Sequence, residues 1–332
     1  MELALYCPVY GYYEAEKDTV GRTGDFYTSV SVGSLFGQLL AFQFAAWLEQ
    51  MPDKDCRLQL AEAGAHNGQL AKDILECFET KFPALFSRIE YIIIEPSPVR
   101  RKWQEKALAK FDGKVSWVNE LAGLNINGVI FSNELLDAFP IQRFGWDAQQ
   151  KQWFEWGVTK DGARFAWARM PGTVANLCPP ELEAVLPDGY IVEKSPAAED
   201  WWRNAARVLR RGKLMAIDYG LTEAELFSPE RTNGTLRGYH RHHATSDVLA
   251  DPGEQDLTAH VNFPAIKQVG ENEGLHTDRF FRQSMFLMKI LNWDVKRQEI
   301  KMDQKFGRQL QSLIHPEHLG RAFRVLIQSR NI

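Results

Sequence analysis

The sequence lacks an excess of basic residues and a long apolar run. Its 39 Lys and Arg are outnumbered by 43 Asp and Glu, and the net charge of −4 excludes a generally basic surface for nucleic acid. The apolar stretch from Leu39 to Leu48 already contains Gln43 and is shorter than the roughly 18 residues of a membrane-spanning helix. We therefore expect neither a nucleic-acid partner nor a membrane span.

The sequence also lacks neighbouring cysteines and a targeting segment. Cys7, Cys56, Cys77 and Cys178 lie far apart without a CxxC pair, which is typical of reduced thiols in a cytoplasm. The segment from Met1 to Tyr6 has neither the basic region of a signal peptide nor the arginine-rich character of a transit peptide. We predict a soluble, cytoplasmic protein.

Helical and strand patterns alternate along the 332 residues, as they do in a parallel α/β sheet. Apolar residues recur at helical spacing over 34–50, which predicts a buried helix. Short apolar segments predict strands at 57–63, 91–94, 115–118, 128–132 and 213–219. Polar and aromatic residues alternate over 141–168 around Asp161-Gly162, which predicts an antiparallel insertion. The C-terminal part predicts three helices and two strands.

These patterns predict one Rossmann-like α/β domain with additions. In chain order, the predicted parts are an N-terminal lid region and helix (1–50), the first part of the Rossmann-like domain (51–140), the antiparallel insertion (141–185), a second part of the Rossmann-like domain (186–220), an irregular loop region on the substrate side (221–261) and the last part of the Rossmann-like domain (262–332).

The first candidate site is the turn Glu62-Ala63-Gly64-Ala65-His66-Asn67-Gly68, which follows the first predicted strand. In open parallel sheets, ligands bind outside the carboxyl ends of the strands. Glycines before a helix let a cofactor approach the bare backbone at the helix N-terminus. The G-x-x-x-G spacing is not the dinucleotide fingerprint, and a tight turn without a ligand is an equal alternative.

Further acidic residues follow the next predicted strands. Glu95 ends the second strand, where a carboxylate can accept hydrogen bonds from both ribose hydroxyls of a nucleotide-like cofactor. The alternative is an acidic residue that favours the adjacent helix N-terminus. Asn119 and Glu120 follow the third strand, and Asp218 follows the fifth.

The polar turn at the end of the fourth predicted strand runs from Ser132 through Asn133 to Asp137 and opens a predicted helix. Glu134 and Asp137 are three residues apart, so both point to one helix face. A capped and solvated helix start is the alternative for this segment alone. Taken together, acids at these strand ends with few basic residues favour a cofactor that has hydroxyls and a positive centre. S-adenosyl-L-methionine (SAM) fits, because its ribose, ammonium and sulfonium all prefer acceptors.

Several segments, in order, resemble the MidA-like SAM-dependent methyltransferases. They are Gly11-Tyr12-Tyr13, the segment 24–29, Leu35-Phe36-Gly37, the segment 133–140, Asp218-Tyr219-Gly220, the segment 234–237 and the segment 256–261. Mitochondrial members of that family methylate an arginine of a respiratory complex I subunit. The resemblance therefore implies a class I methyltransferase sheet with an inserted substrate region, SAM as the cofactor and a protein arginine as the substrate. Residues 11–34 are expected to fold over the cofactor cleft.

The strand-end turns and the resemblance together define the candidate site. The expected cofactor-binding residues are Gly24, Asp25, Thr28, Glu62, Gly64, His66, Gly68, Glu95, Asn119, Glu120 and Asn133. The expected catalytic residues are Glu134, Asp137 and Asp218. Carboxylates on the nitrogens of a guanidinium that do not react would localise its positive charge away from the attacking nitrogen.

Two departures from the family pattern keep other functions open. The family turn usually reads Glu-Leu-Gly-Pro-Gly-Arg-Gly, whereas four of the seven positions over 62–68 differ here, with His66 at the central glycine. Val30-Ser31 stands where the family commonly has Pro-Glu. A catalytically silent assembly or binding protein and a small-molecule methyltransferase therefore remain alternatives.

Two further signals carry less weight. The histidines at 240, 242 and 243 with Asp247 and Asp251 resemble metal ligands, but no second group accompanies them at metal spacing, so no metal site is predicted. Residues 279–332 contain 11 Lys and Arg against 4 acids. A solvated face explains this excess, and a surface for a weakly bound acidic partner is the alternative.

Overall fold

A computed structural model describes residues 1–15, 28–51, 57–174, 177–240, 243–295, 303–315, 319–320 and 322–332. The helices are α1 (Glu2–Tyr6), α2 (Leu35–Glu49), α3 (Gln69–Lys81), α4 (Pro83–Arg88), α5 (Pro98–Ala107), α6 (Pro180–Glu183), α7 (Pro196–Val208), α8 (Glu223–Leu226), α9 (Phe263–Asn272), α10 (Gln283–Val295) and α11 (Gln304–Ile314). Short 3-10 helices cover Tyr12–Glu14, Val30–Val32, Ala109–Phe111, Leu136–Ala138 and Pro229–Arg231.

The strands are β1 (Leu58–Ala63), β2 (Ile89–Ile94), β3 (Val115–Val118), β4 (Ile126–Asn133), β5 (Gln142–Asp147), β6 (Gln152–Asp161), β7 (Arg164–Arg169), β8 (Ile191–Lys194), β9 (Leu209–Leu221), β10 (Arg237–His240), β11 (His243–Thr245), β12 (Asp256–Thr258), β13 (Val261–Asn262), β14 (His276–Arg282) and β15 (Phe323–Arg330). The chain divides into two compact units.

The larger unit comprises Asp18–Leu136, Trp201–Tyr219 and Lys267–Ile332. Its sheet has the strand order β14-β15-β9-β4-β1-β2-β3. The strands from β9 to β3 pair in parallel, whereas β15 runs antiparallel to both β9 and β14. This is the predicted class I methyltransferase sheet, and the strand order reverses between β1 and β4, where such sheets bind ligands.

Helix α2 packs into the core of the larger unit because its apolar residues surround the helix rather than forming one stripe. Phe36, Leu39 and Phe44 are fully buried. The ring of Phe44 lies 4.8 Å from that of Phe131 on β4. This packing anchors α2 against the strand that leads to the candidate catalytic turn.

Local sequence signals explain where α5 begins. The Ser97 side chain accepts a hydrogen bond from the Arg100 N–H, and Pro98 occupies the first helical turn. The preceding strand, β2, is apolar on both faces, as expected for a strand inside a parallel sheet. These two signals place Glu95 in the short connection between β2 and α5.

The smaller unit comprises Met1–Lys17, Asp137–Asp200 and Gly220–Ile266. The predicted antiparallel insertion forms a four-stranded sheet in the order β7-β6-β5-β8. This sheet extends beyond the predicted bounds of 141–185, because β8 pairs antiparallel with β5. Trp146, Trp153 and Tyr190 form part of its core. The expectation that 221–261 is irregular is wrong, because β10, β11 and β12 form a three-stranded antiparallel sheet.

Apart from the helix expected to open after the fourth strand, the other predicted elements agree with the structure in type and order. The helix expected at 34–50 is α2, the strand expected at 57–63 is β1, and the strand expected at 213–219 lies within the longer β9. Helices α1 and α4 are short and were not predicted from the sequence. Within the described ranges, the structure has no helix that is long and apolar enough to cross a membrane.

Candidate active site

The turn between β1 and α3 forms the first part of the candidate site. Gly64 and Gly68 have φ of +73° and +82°, a region that favours glycine. A β-carbon on Gly64 would lie 3.0 Å from Cδ1 of Leu135, and one on Gly68 would lie 3.2 Å from Cα of Gln104. Both glycines therefore let the turn approach neighbouring segments closely.

His66 adopts a left-handed conformation at the centre of this turn, with φ of +47°. A β-carbon disfavours that region, so the conformation costs about 1 kcal/mol or more relative to glycine. The His66 carbonyl accepts a hydrogen bond from Nε2 of Gln104 at 2.9 Å. Its ring lies 6.0 Å from that of Trp103, centroid to centroid.

Glu95 lies directly after β2 and is only 5% exposed. Its Oε1 accepts a hydrogen bond from the Ser97 N–H at 3.0 Å, and its Oε2 accepts one from Nε2 of Gln104 at 3.0 Å. The same Gln104 amide nitrogen therefore contacts both Glu95 and the turn from Gly64 to Gly68, which we call the glycine turn. These bonds fix the orientation of the carboxylate at the end of the second strand.

Asn119 and Glu120 follow β3 and are exposed. Arg101 connects this turn to the previous one: its Nε donates to the Glu95 carbonyl at 2.7 Å, and its Nη2 donates to Oδ1 of Asn119 at 2.5 Å. The side chain of Arg101 therefore hydrogen-bonds to both Glu95 and Asn119.

Glu62 is buried on β1, one residue before the strand ends. The Tyr91 hydroxyl on the paired strand β2 donates to its Oε2 at 2.6 Å. Burial raises the pKa of Glu62 to about 7, and the hydrogen bond from Tyr91 offsets part of this rise. Its described contacts therefore place the Glu62 side chain in the buried core next to the glycine turn.

The prediction that Glu134 and Asp137 share a helix face is wrong. Strand β4 continues to Asn133, Glu134 has φ of +53°, and a short 3-10 helix begins only at Leu136. A local i, i+3 spacing orients two side chains together only if both residues are helical. Asp137 belongs to the smaller unit and Glu134 to the larger one.

Three hydrogen bonds hold Glu134 in this conformation. Its N–H donates to the Ile217 carbonyl on β9 at 2.9 Å. Its Oε1 accepts from the Ser29 N–H at 3.2 Å and from Nδ2 of Asn133 at 2.9 Å. The carboxylate therefore has a defined position next to Leu135, whose side chain lies against Gly64 of the glycine turn.

Asp218 was expected to end a strand, but β9 continues past it to Leu221. The Asp218 side chain is fully buried and bonds to backbone groups. Its Oδ2 accepts from the N–H groups of Leu135 and Leu136, and its Oδ1 accepts from that of Tyr219. Burial, together with the nearby charge of Glu134, raises the pKa of Asp218 to about 7. Asp218 thus orients the turn that contains Glu134.

The N-terminal candidates are only partly described. Gly24 and Asp25 lie outside the described residues. Thr28 is buried and forms a compact turn with Ser31, in which its Oγ1 accepts from the Ser31 N–H at 3.1 Å. The adjacent Ser29 contacts Glu134 through its N–H and donates from its Oγ to Oε1 of Gln283 at 3.3 Å.

Asp137 is nearly buried in the smaller unit, where its carbonyl accepts from the Ala259 N–H at 3.0 Å. In the same unit, the Tyr13 hydroxyl donates to Oδ1 of the buried Asp256 at 2.7 Å. Burial and the carboxylates of Asp256 and Asp137 raise the pKa of Tyr13. The structure therefore joins two segments of the family resemblance, one at Tyr13 and one at Asp256.

Gln104, Ser29 and Tyr13 each bond to a residue that the sequence predicts for the site or to a segment of the family resemblance, but the strand-end turns do not reveal them. Ser29 and Tyr13 lie in segments that carry the family resemblance, so a signal for them was present. Gln104 had no such signal. Among the described residues, no group of three or more His, Cys, Asp or Glu could hold a metal ion. His242 lies outside them.

The fold and the carboxylate-lined strand ends define the class of this protein. A model of a family of S-adenosyl-L-methionine-dependent methyltransferases matches residues 39–281, and the chain belongs to that family. The predicted family, reaction class and cofactor are confirmed.

Individual relatives cover nearly the whole chain. The mitochondrial protein arginine methyltransferase NDUFAF7 of Danio rerio is 26% identical to this chain, in an alignment that covers 97% of this chain and 80% of that protein. The Homo sapiens protein of the same name is 27% identical, with coverages of 97% and 77%. A superfamily member from Burkholderia thailandensis, crystallised with S-adenosyl-homocysteine, has a TM-score of 0.85 at 30% identity, covering 99% of this chain and 86% of that one.

The residues present fit SAM. Oδ1 of Asn133 and Oγ of Ser132 are buried at the carboxyl end of β4 and have no hydrogen-bond partner among the described residues. An acceptor that is buried without a partner carries a free-energy penalty, which a ligand donor such as the SAM ammonium would remove. The backbone of Gly64 and the oriented carboxylate of Glu95 lie on the neighbouring strand ends, β1 and β2.

Proposed function

We propose that this protein is a SAM-dependent protein arginine methyltransferase with its active site at the carboxyl ends of β1, β2 and β4. The observation that carries the proposal is the carboxylate of Glu134, held by Ser29 and Asn133 beside the glycine turn. The names of the NDUFAF7 relatives support arginine as the acceptor. A protein that carries this arginine is therefore the proposed substrate.

The cofactor residues have distinct proposed roles. When bound, SAM supplies a methyl group that its sulfonium already activates. Glu95 would accept hydrogen bonds from the ribose hydroxyls, and the backbone from Gly64 to Gly68 would border the methionine end. Asn133 would accept from the ammonium group through its buried Oδ1. Thr28, Glu62, Asn119 and Glu120 remain proposed cofactor neighbours.

The chemical task of the protein is to align and desolvate a weak nucleophile. A guanidinium keeps its charge to high pH and delocalises its lone pairs. The carboxylate of Glu134 would bind a nitrogen that does not react, which localises positive charge away from the attacking nitrogen. Asp137 remains a proposed catalytic residue. Asp218, whose oxygens accept backbone N–H groups, would act by orienting the Glu134 turn.

The test is Glu134→Gln, which keeps the side-chain shape and removes its charge. We expect SAM affinity close to wild type, because Glu95 and the glycine turn are intact, and methylation lowered by about a hundredfold or more. The measurement is transfer of labelled methyl to lysate proteins, followed by hydrolysis and detection of methylarginine. Glu105→Gln, an exposed glutamate on α5, is the matched control. Wild-type methylation by Glu134→Gln would refute the assignment.

The conformation of His66 favours a second candidate function, a catalytically silent protein that keeps the fold. A strained non-glycine residue at the centre of the turn would disfavour cofactor binding. Calorimetry with S-adenosyl-homocysteine separates the two, because a silent scaffold need not bind it. A product that is a methylated small molecule rather than protein would instead support the small-molecule alternative. The cytoplasmic location stays a prediction, since the NDUFAF7 relatives are mitochondrial proteins.

A further inference from the structure

A single buried glutamine connects the two turns that border the cofactor site. Gln104 lies on α5 and has no exposed surface. Its Nε2 donates to the His66 carbonyl at 2.9 Å and to Oε2 of Glu95 at 3.0 Å. Its Oε1 accepts from the indole Nε1–H of Trp117, on β3, at 3.0 Å. The Gln104 amide therefore hydrogen-bonds to residues at or near the ends of three strands, β1, β2 and β3.

The chemistry of these partners allows only one orientation of the amide. An indole N–H can only donate, so the amide oxygen must face Trp117. A backbone carbonyl and a carboxylate can only accept, so the NH2 group must face His66 and Glu95. The backbone of Gln104 also lies where a β-carbon on Gly68 would approach within 3.2 Å. The glutamine is therefore fixed in both position and orientation.

We propose that Gln104 is a positioning residue for SAM, which holds the glycine turn and the carboxylate of Glu95 at a set separation and orientation. This inference rests on the proposed role of Glu95. The hydrogen bond from the amide also occupies one side of Oε2, while the Ser97 N–H occupies Oε1. The carboxylate is thereby oriented before the ribose arrives, which lowers the cost of ordering on binding.

Two substitutions separate hydrogen bonding from packing. Gln104→Glu keeps the shape but places a carboxylate against Glu95 and the His66 carbonyl, where like charges repel. Gln104→Met keeps most of the volume and removes both donated hydrogen bonds. We expect Gln104→Glu to weaken binding of S-adenosyl-homocysteine about tenfold or more, and Gln104→Met to weaken it by a smaller factor, as hydrogen bonds to charged groups imply. If the Gln104→Glu variant does not fold, Gln104→Met still tests the proposal.

The chain offers a matched control in Gln328 on β15, which is also fully buried. Its Oε1 accepts from the indole Nε1–H of Trp202, and its Nε2 donates to the Lys267 carbonyl and to Oγ1 of Thr277. Gln328→Glu therefore disturbs the same kind of bonding pattern with none of the proposed cofactor residues in it. We expect a lower melting temperature and unchanged affinity for S-adenosyl-homocysteine.

A spectroscopic measurement reports on the bridge directly. The indole N–H resonance of Trp117 can be assigned by its loss in Trp117→Phe. In the wild type it should shift when S-adenosyl-homocysteine binds, because Gln104 connects it to Glu95. A resonance that stays in place while the ligand binds would overturn the proposal.

Calorimetry on wild type, both Gln104 variants, Glu95→Gln and Gln328→Glu distinguishes the remaining outcomes. Loss of affinity in Glu95→Gln and Gln104→Glu, but not in Gln328→Glu, supports the inference. If Glu95→Gln binds like wild type, the proposed role of Glu95 fails and the inference fails with it. If Glu95→Gln loses affinity while both Gln104 variants keep it, only the inference is overturned, and Gln104 is a packing residue.

Discussion

The backbone at His66 shows how one side chain changes the energy of the cofactor turn. Its φ of +47° is a conformation that glycine adopts without penalty and that a β-carbon disfavours. The neighbouring Gly64 and Gly68 have the residue type suited to their positive φ. His66 is therefore the position in this turn where residue type and conformation disagree.

We predict that His66→Gly is more stable than His66→Ala by about 1 kcal/mol, because the two variants differ only in the β-carbon and both lose the ring. Urea denaturation measures the difference. We further expect His66→Gly to bind S-adenosyl-homocysteine at least as tightly as the wild type. Equal stability of the glycine and alanine variants would mean that the surrounding turn relaxes around a β-carbon without cost.

A second prediction at this scale concerns the buried carboxyl of Glu62, whose pKa burial raises from 4.5 to about 7. The folded protein then holds a proton between these values that the unfolded chain has released. Glu62 therefore lowers the free energy of unfolding as the pH rises through this window.

Glu62→Gln removes this titration and keeps an acceptor for the Tyr91 hydroxyl. Relative to wild type, we expect the variant to be more stable at pH 8 by on the order of 1–3 kcal/mol, with the difference disappearing in acid. Melting temperatures measured from pH 4 to pH 8 test this. A parallel pH dependence in both proteins would show that folding does not raise the pKa of Glu62.

At the scale of elements, the close approach of three central strands depends on two glycines. A β-carbon on Gly128 of β4 would overlap the Gln59 carbonyl on β1, and one on Gly212 of β9 would overlap the Gly128 carbonyl. Strands β1 and β4 lead to the glycine turn and to Glu134, and β9 carries Asp218 three residues before its end. The pairing of the strands therefore sets the position of the candidate site.

We predict that Gly128→Ala lowers the free energy of unfolding by about 3 kcal/mol or more, because both the backbone conformation and the space exclude a β-carbon. Gly123→Ala is the control: Gly123 also has a positive φ, of +80°, but a β-carbon added there would meet no described atom within 4 Å. Gly123→Ala should lower the free energy of unfolding by about 1 kcal/mol. Similar losses in urea denaturation would show that the strands can separate locally.

At the scale of the whole molecule, ligand binding and stability are linked. A ligand that binds only the folded state at about 100 times its Kd adds about 2.7 kcal/mol to the free energy of unfolding. We predict that S-adenosyl-homocysteine raises the melting temperature by a few degrees under that condition. ATP, which has the same adenosine but carries phosphates, should raise it much less. Equal shifts would indicate binding through adenosine alone.

Local patterns in the sequence were sufficient for much of the architecture. The apolar spacing of 34–50 predicts α2, and Ser97-Pro98 predicts the start of α5, because a helix is specified by contacts between residues close in sequence. The acid at position 95 could be assigned to a strand end for the same reason. The alternation of these elements indicated a parallel α/β sheet, and the family resemblance implied its class I methyltransferase form.

The three strands β10, β11 and β12 could not be predicted in this way. Each has only three or four residues, too few for a period to be recognised. Their pairing joins Arg237 to Thr258 across a long connection, and such non-local contacts form only when the surrounding chain has folded.

The same distinction applies to the candidate site. The sequence by itself determined which acidic and glycine residues follow the strands, because strand ends and turns leave local signatures. Only the tertiary structure decided that Glu134 takes a left-handed conformation, in which it accepts from the Ser29 N–H and donates to the Ile217 carbonyl, and that Gln104 connects His66, Glu95 and Trp117. Those contacts join residues far apart in the chain, so their geometry depends on how the strands pair and not on any pattern within one segment.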